Sequence, residues 1–341
     1  MQLGIHAMKG NANFGGLGRD LRANLAAIIE AEALGYSTVW TAEASGTDAV
    51  VPLTWIAAHT SKIRLGTGVM QMAARTPPMT AATAATLDLL SEGRVVLGLG
   101  ASGPAVVEGW HCQPYGNPLT RAEEYVAIVR KVLARSAPVV HHGDCYDIPY
   151  TKDDATGLAN PIRLMFRPKR RRIPIYLAAM GPRNLNLANK IADGIVPAFY
   201  SPVRETAFWD GVDPPPEGFD ISPFVTVAMG DDLTRCRDYV RGGLAFWIGA
   251  MGARGRNFYN RLAVRLGFAD AAHQVQSLYM SERRLEAAAA IPDELIDEVA
   301  LVGPRERIRD QLEAWKASRV TTMIIMAPDA HTMRAVAELA L

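Results

Sequence analysis

Cysteine is scarce: Cys112, Cys145 and Cys236 are the only three in 341 residues. They lie far apart, lack the paired spacing of a zinc site, and their odd number does not build a disulfide framework, so a reducing compartment is expected. No apolar run approaches the roughly 18 residues that mark a membrane span. Met1 leads straight into Leu3–Ile5 without the basic segment and long apolar stretch of a secretion signal. The expectation is a cytoplasmic protein with no membrane partner. An excess of one charge is missing too. Lys and Arg number 36 against 35 Asp and Glu, a net +1, which offers no field for a polyanion and argues against nucleic acid as a partner. Also absent are H-E-x-x-H, G-x-S-x-G and G-x-x-x-x-G-K-[ST], which removes the commonest zinc peptidase, serine hydrolase and nucleoside triphosphatase readings.

What is present is ordinary for a soluble enzyme: 49% hydrophobic and 21% charged residues, enough to bury a sizeable core. One pattern recurs along the chain. An amphipathic stretch ends in Gly or a small polar turn, and a short run of Val, Ile and Leu follows. In the first such unit Asp20 is a candidate helix cap, Leu21, Leu25 and Ile28 share one face, and Gly35 is the stop. Eight strands are predicted this way, at 3–6, 38–41, 63–69, 95–99, 175–178, 194–197, 224–228 and 322–326. Eight parallel strands alternating with helices make a (β/α)8 TIM barrel, whose chemistry sits at the C-terminal strand ends. Such a barrel needs about 250 residues. The chain is therefore read as one domain over 1–341, with the surplus in insertions after strands 4 and 7, at about 104–173 and 229–321. The first is expected to hold a helix near 120–135 and a hairpin over 139–148 turning at Gly143 and Asp144; the second reads as mostly helical.

Gly98, Gly100 and Gly103 spell G-x-G-x-x-G directly after a predicted strand. Pro104 follows at once, however, and no acidic residue stands at a strand end about twenty residues on, so a Rossmann site is disfavoured. The glycines are expected instead to let a flat ring or a phosphate approach the backbone. His141, His142, Asp144, Cys145 and Asp147 are metal-ligand types, but adjacent strand residues face opposite ways. No metal site is expected there. Lys169–Arg172 precedes strand 5 and reads as a solvated loop on the far face. The mouth itself is dominated by small, apolar and aromatic residues, which suits a flat organic cofactor that carries its own reactivity.

These segments resemble the luciferase-like barrel oxidoreductases that use flavin mononucleotide or the deazaflavin coenzyme F420. The resemblance is carried by Leu65-Gly-Thr-Gly-Val69, Asp88-Leu-Leu-Ser-Glu-Gly-Arg94, Gly98-Leu-Gly-Ala-Ser-Gly103, Pro174-Ile-Tyr-Leu-Ala-Ala-Met-Gly-Pro182, Ala192-Asp-Gly194 and Val302-Gly-Pro-Arg-Glu306, the last looking like the start of the penultimate helix. Thr41-Ala-Glu-Ala44 and the stretch from Ser102 to Trp110 look most like the deazaflavin-dependent branch.

The resemblance implies a non-prolyl cis bond at Gly68-Val69 that forms a bulge under the ring system. It implies cofactor contacts from Gly68, Val69, Ala101, Ser102, Gly103, Ala178, Ala179, Met180 and Gly181, with the phosphate-bearing tail at Ala179–Gly181. Sugar-phosphate dehydrogenases of the family have His and Glu where Ala44 and Gly103 stand here. Their loss points to a roomier, less polar pocket and away from sugar phosphates. The expected reaction is hydride transfer between coenzyme F420 and a small organic substrate, in the direction of reducing a hydrophobic ketone, enone or imine. Glu43, His6 and Glu108 are the proton-transfer candidates in that order, against plain structural roles for each. Two alternatives stay open: a monooxygenase using flavin mononucleotide (FMN) and oxygen, and a binding barrel without chemistry. The resemblance also implies a homodimer.

Overall fold

The computed structural model describes residues 1–7, 21–43, 46–327 and 329–341, without the side chains of 21–23. The candidate cap Asp20 thus lies outside the described residues, as does Ala44. The principal strands are β1 (Gln2–His6), β2 (Thr38–Thr41), β3 (Arg64–Thr67), β4 (Val95–Gly100), β5 (Ile175–Leu177), β6 (Gly194–Ile195), β7 (Phe224–Met229), β8 (Ala300–Gly303) and β9 (Thr322–Met326). They form one curled parallel sheet in the order β6, β5, β4, β3, β2, β1, β9, β7, β8. The segment before β7 touches both flanks of the curl. Asp220 and Ile221 pair with Gly194 and Ile195, the Phe224 amide donates to the Pro197 carbonyl at 3.2 Å, and Phe224 onward pairs with β9.

Each expected strand is found to within two residues, and the sheet has three further strands that were not foreseen, Met70–Gln71, Asp220–Ile221 and Ala300–Gly303. Ala300–Gly303 runs parallel to β7 with every residue buried, and the following helix opens only at Arg305. The Val302–Glu306 motif is therefore half strand and half helix. Four apolar residues between two helical patterns carry no period of their own, and only burial against β7 decides their conformation. The 104–173 stretch holds helices at 104–109 and 118–134 and a hairpin of His141–His142 with Asp147–Ile148. The 229–321 stretch holds six helices and β8. Asn117 caps the 118–134 helix by accepting from the amides of Leu119 and Thr120 at 3.2 and 3.4 Å, with Pro118 at its first position.

Apolar residues divide between two cores. The larger lies between sheet and helices, while Trp40, Val96, Tyr176, Val196 and Ile324, with Phe224 against them, fill the inside of the curl. Glycine makes that filling possible. A Cβ on Gly66 would lie 2.4 Å from the Trp40 ring, and one on Gly4 would lie 3.0 Å from its Nε1, so one indole occupies space that neighbouring strands leave empty.

The N-terminal ends of the strands are stitched by charge. Asp88, whose side chain is fully buried, receives Arg170 at both carboxylate oxygens, and the same guanidinium donates to the Val95 carbonyl at 2.7 Å. Asp193 accepts from Arg130, Arg172 and the Ile175 amide. Arg94 donates to the carbonyls of Ala57, Thr60, Ile63 and Ser91. The expectation of a solvated loop at 169–172 holds for Lys169, Arg171 and Arg172, which are exposed, while Arg170 closes the buried carboxylate of Asp88, because a charge leaves water only with a partner.

Candidate active site

At the opposite, C-terminal ends of the strands, the bulge after β3 organises the mouth. The Gly68–Val69 peptide is cis. The Gly68 amide donates to the Thr41 carbonyl at 2.6 Å, and the Thr67 hydroxyl bonds both the carbonyl and the amide of Gly98 at 2.7 and 2.9 Å. A Cβ on Gly98 would stand 1.9 Å from the Thr67 carbonyl oxygen, and one on Gly100 would stand 2.6 Å from a Val69 methyl. The first two glycines of the G-x-G-x-x-G run are thus needed to admit β3 and the Val69 side chain. The expected approach of a ring or phosphate to those glycines is corrected accordingly. Beyond the bulge, Met70–Gln71 pairs with Leu99–Gly100.

Glu43 holds this bulge. Its carboxylate accepts from the backbone amides of Gln71 and Ala49 at 2.8 and 3.2 Å and from Arg75, and its carbonyl accepts from the Gln71 side chain at 3.0 Å. Arg75 also reaches Asp48, and His111 meets the Gln71 side-chain oxygen at 3.0 Å. Gln71, Arg75 and His111 were not singled out in the sequence. They sit 28, 32 and 68 positions from Glu43, with no motif that joins them.

His6 ends β1 inside the curl, 8% exposed and edge-on to Phe224 at 5.4 Å between ring centroids. Burial lowers its pKa to about 4, which keeps the imidazole neutral at pH 7. Phe224 also borders Gly68, whose Cβ position is 2.7 Å from the ring. Ala178 lies across Gly100 from Val69. His6, Phe224, Gly68, Val69, Gly100 and Ala178 therefore form one patch.

The other expected residues divide. Ala101, Ser102 and Gly103 follow β4, with Ser102 in the left-handed region at φ 62°. That conformation costs a non-glycine residue on the order of 1 kcal/mol. Ala179 is wholly buried in the outer core and offers only backbone. The Met180 carbonyl accepts from Arg265, and Gly181 opens the 182–191 helix with nothing within 4 Å of its Cβ position and no side-chain cap. Glu108 stands apart: it is exposed and accepts from the Tyr115 amide at 3.4 Å. Among the described residues no group of three or more His, Cys, Asp or Glu could hold a metal ion; His141 and His142 pair separately with Glu124 and Asp147. No helix among those residues is long and apolar enough to cross a membrane.

A family profile described as luciferase-like monooxygenase matches residues 1–322. The chain belongs to that family. It is 41% identical over 321 residues to a Mycobacterium tuberculosis protein provisionally described as a coenzyme F420-dependent oxidoreductase, with 92% of each chain covered. Among solved structures it is similar to the coenzyme F420-dependent tetrahydromethanopterin reductase of Methanopyrus kandleri, with TM-score 0.73, 20% identity and coverage of 99% and 97%. An F420-dependent secondary alcohol dehydrogenase bound to an F420–acetone adduct gives TM-score 0.72 at 18% identity, with the same coverage. At those identities the two structures bear on the fold of this luciferase-like chain, which matches theirs from end to end.

Proposed function

We propose that this luciferase-like protein is a coenzyme F420-dependent oxidoreductase acting on a hydrophobic ketone, enone or imine. We read the curled sheet as a closed (β/α)8 barrel, one domain over 1–341 with insertions at about 104–173 and 229–321. The observation that carries the cofactor choice is the 41% identity, over 92% of both chains, to the M. tuberculosis protein. The residues fit the group. Val69, backed by Gly98 and Gly100, gives an apolar support for a ring face, and the helix start at Gly181, which has no side-chain cap, favours an anionic tail through the helix dipole. Gly68, Ala101, Ser102, Gly103, Ala178, Ala179 and Met180 complete the cradle. When bound, the deazaflavin supplies the hydride.

The chain supplies alignment and one polar contact. Glu43 is a positioning residue in this reading, since three donors occupy its carboxylate and it fixes the backbone that carries Val69. His6, neutral on the mouth floor, is suited to donate a ring N–H to a substrate carbonyl oxygen. Glu108, turned to the surface, takes no part. The test is spectroscopic titration of the purified protein with reduced coenzyme F420 and with reduced FMN, followed by anaerobic turnover. Tighter coenzyme F420 binding and substrate-dependent hydride transfer without oxygen are expected. Tight FMN binding with oxygen consumption coupled to product would establish the monooxygenase instead, and binding of neither would leave the binding barrel.

A further inference from the structure

Beside the Met180–Gly181 turn lies a cavity of about 660 Å³ between the 258–265 and 269–280 helices, among whose lining residues are Arg254, Arg261, Arg265, His273, Gln276 and Ser277. No carboxylate lines it. Arg254 reaches the Ser277 hydroxyl at 3.4 Å, and the carboxylate nearest in effect to Arg265 is that of Asp210, outside the lining. Two donors are left over. Gln276 is only 6% exposed, yet its Nε2 has no hydrogen-bond partner among the described residues, and neither has the buried Nε of Arg265. A buried donor without a partner is unfavourable, and three guanidinium groups without a facing carboxylate repel one another. One kind of ligand answers both features.

We propose that this cavity binds an oxyanion, a phosphate or carboxylate group, held by Gln276 and Arg265 inside and by Arg254 and Arg261 at the rim. Arg265 donates at the same time to the Met180 carbonyl, so the cavity shares a wall with the turn assigned to the cofactor's tail. Two sources share the chemistry: the anionic tail of the coenzyme, or an acidic group on the substrate. The tail assignment rests on the coenzyme F420 reading; the oxyanion site does not. Calorimetric titration with inorganic phosphate and with glutarate, in the absence of any coenzyme, tests the site itself. Binding to the wild type that weakens at least tenfold in the Arg254→Ala/Arg261→Ala double variant and in Gln276→Leu supports it, with circular dichroism and melting temperature verifying that the variants are folded. Absent binding to the wild type, or equal binding to wild type and folded variants, overturns it. A second titration compares the coenzyme with its chromophore lacking the tail. A tenfold loss for the coenzyme alone in the double variant assigns the site to the tail. Equal affinities in wild type and variant, with phosphate competing against substrate in turnover, assign it to the substrate. Phosphate binding with no affinity for either coenzyme form keeps the site and removes the coenzyme reading.

Discussion

The two ends of the curled sheet are built on opposite principles. At the N-terminal strand ends, Asp88, Asp193, Arg94, Arg130 and Arg170 saturate one another and the backbone. At the C-terminal ends glycine, alanine and valine prevail, Ser102 and Phe199 take left-handed backbone, and charge enters through the clamp of Glu43, Arg75 and Asp48 behind the bulge and through Arg265 on the Met180 carbonyl. Charge that is fully partnered fixes geometry but offers nothing to a ligand. A face of small residues leaves room and an apolar surface, which is what a flat ring needs. Stability and binding are thus separable by position along the strands, as is usual for parallel barrels.

The sharpest attack on that separation is Gly98→Ala, which lies where the two ends depend on each other. Its methyl would meet the Thr67 carbonyl, backbone against backbone, so stability should fall by about 3 kcal/mol or more and cofactor binding should be lost with it. Urea unfolding checks the first and titration the second; a stable variant with intact binding would mean that β3 and β4 can part without cost. Next comes Arg170→Ala, which leaves Asp88 buried without its cation. A loss of about 3 kcal/mol is expected, with coenzyme affinity unchanged in the folded fraction. Altered affinity there would break the division of labour.

Glu43→Gln distinguishes clamp from proton carrier. Weakening hydrogen bonds to a carboxylate costs about 1.5 kcal/mol. The clamp therefore predicts roughly tenfold weaker coenzyme binding, with kcat at saturation nearly unchanged. A fall in kcat of about 10²-fold with affinity intact would restore Glu43 as an acid–base group. The smallest effect concerns His6. Its folded pKa of about 4 lies below the ordinary value of 6.5, so unfolding takes up a proton between those limits. Stability should be flat above pH 6.5 and decline as pH falls toward 4, by at most about 1.4 kcal/mol per pH unit from this group. Urea unfolding at pH 5 and 7.5 should show a smaller difference for His6→Gln than for the wild type; parallel behaviour would mean that His6 is protonated in the fold.

Much of this was legible in the residues. The strand segments stand out because each is a short apolar run closed by Gly or a polar turn, and the helix near 120–135 is read from its apolar periodicity. The 139–148 hairpin was likewise readable from its turn. What escaped was partnership across distance. Nothing local tells that Arg170 reaches back 82 positions to Asp88, that Glu43 is spoken for by Ala49, Gln71 and Arg75, or that Gln276 faces a cavity.

By itself the sequence determined the alternation of elements, the family and the chemical poverty of the mouth, because these follow from residue types and short-range periodicity. Tertiary structure alone decided which glycines admit a neighbour and which face open space, which carboxylates are already paired, and that Ala300–Gly303 is a strand. Those outcomes depend on which groups meet after the sheet curls, and a hydrogen bond or a clash is a property of both partners. Gly98 and Gly181 are the same residue type, yet the Cβ position of one is filled by a carbonyl oxygen and that of the other has nothing within 4 Å.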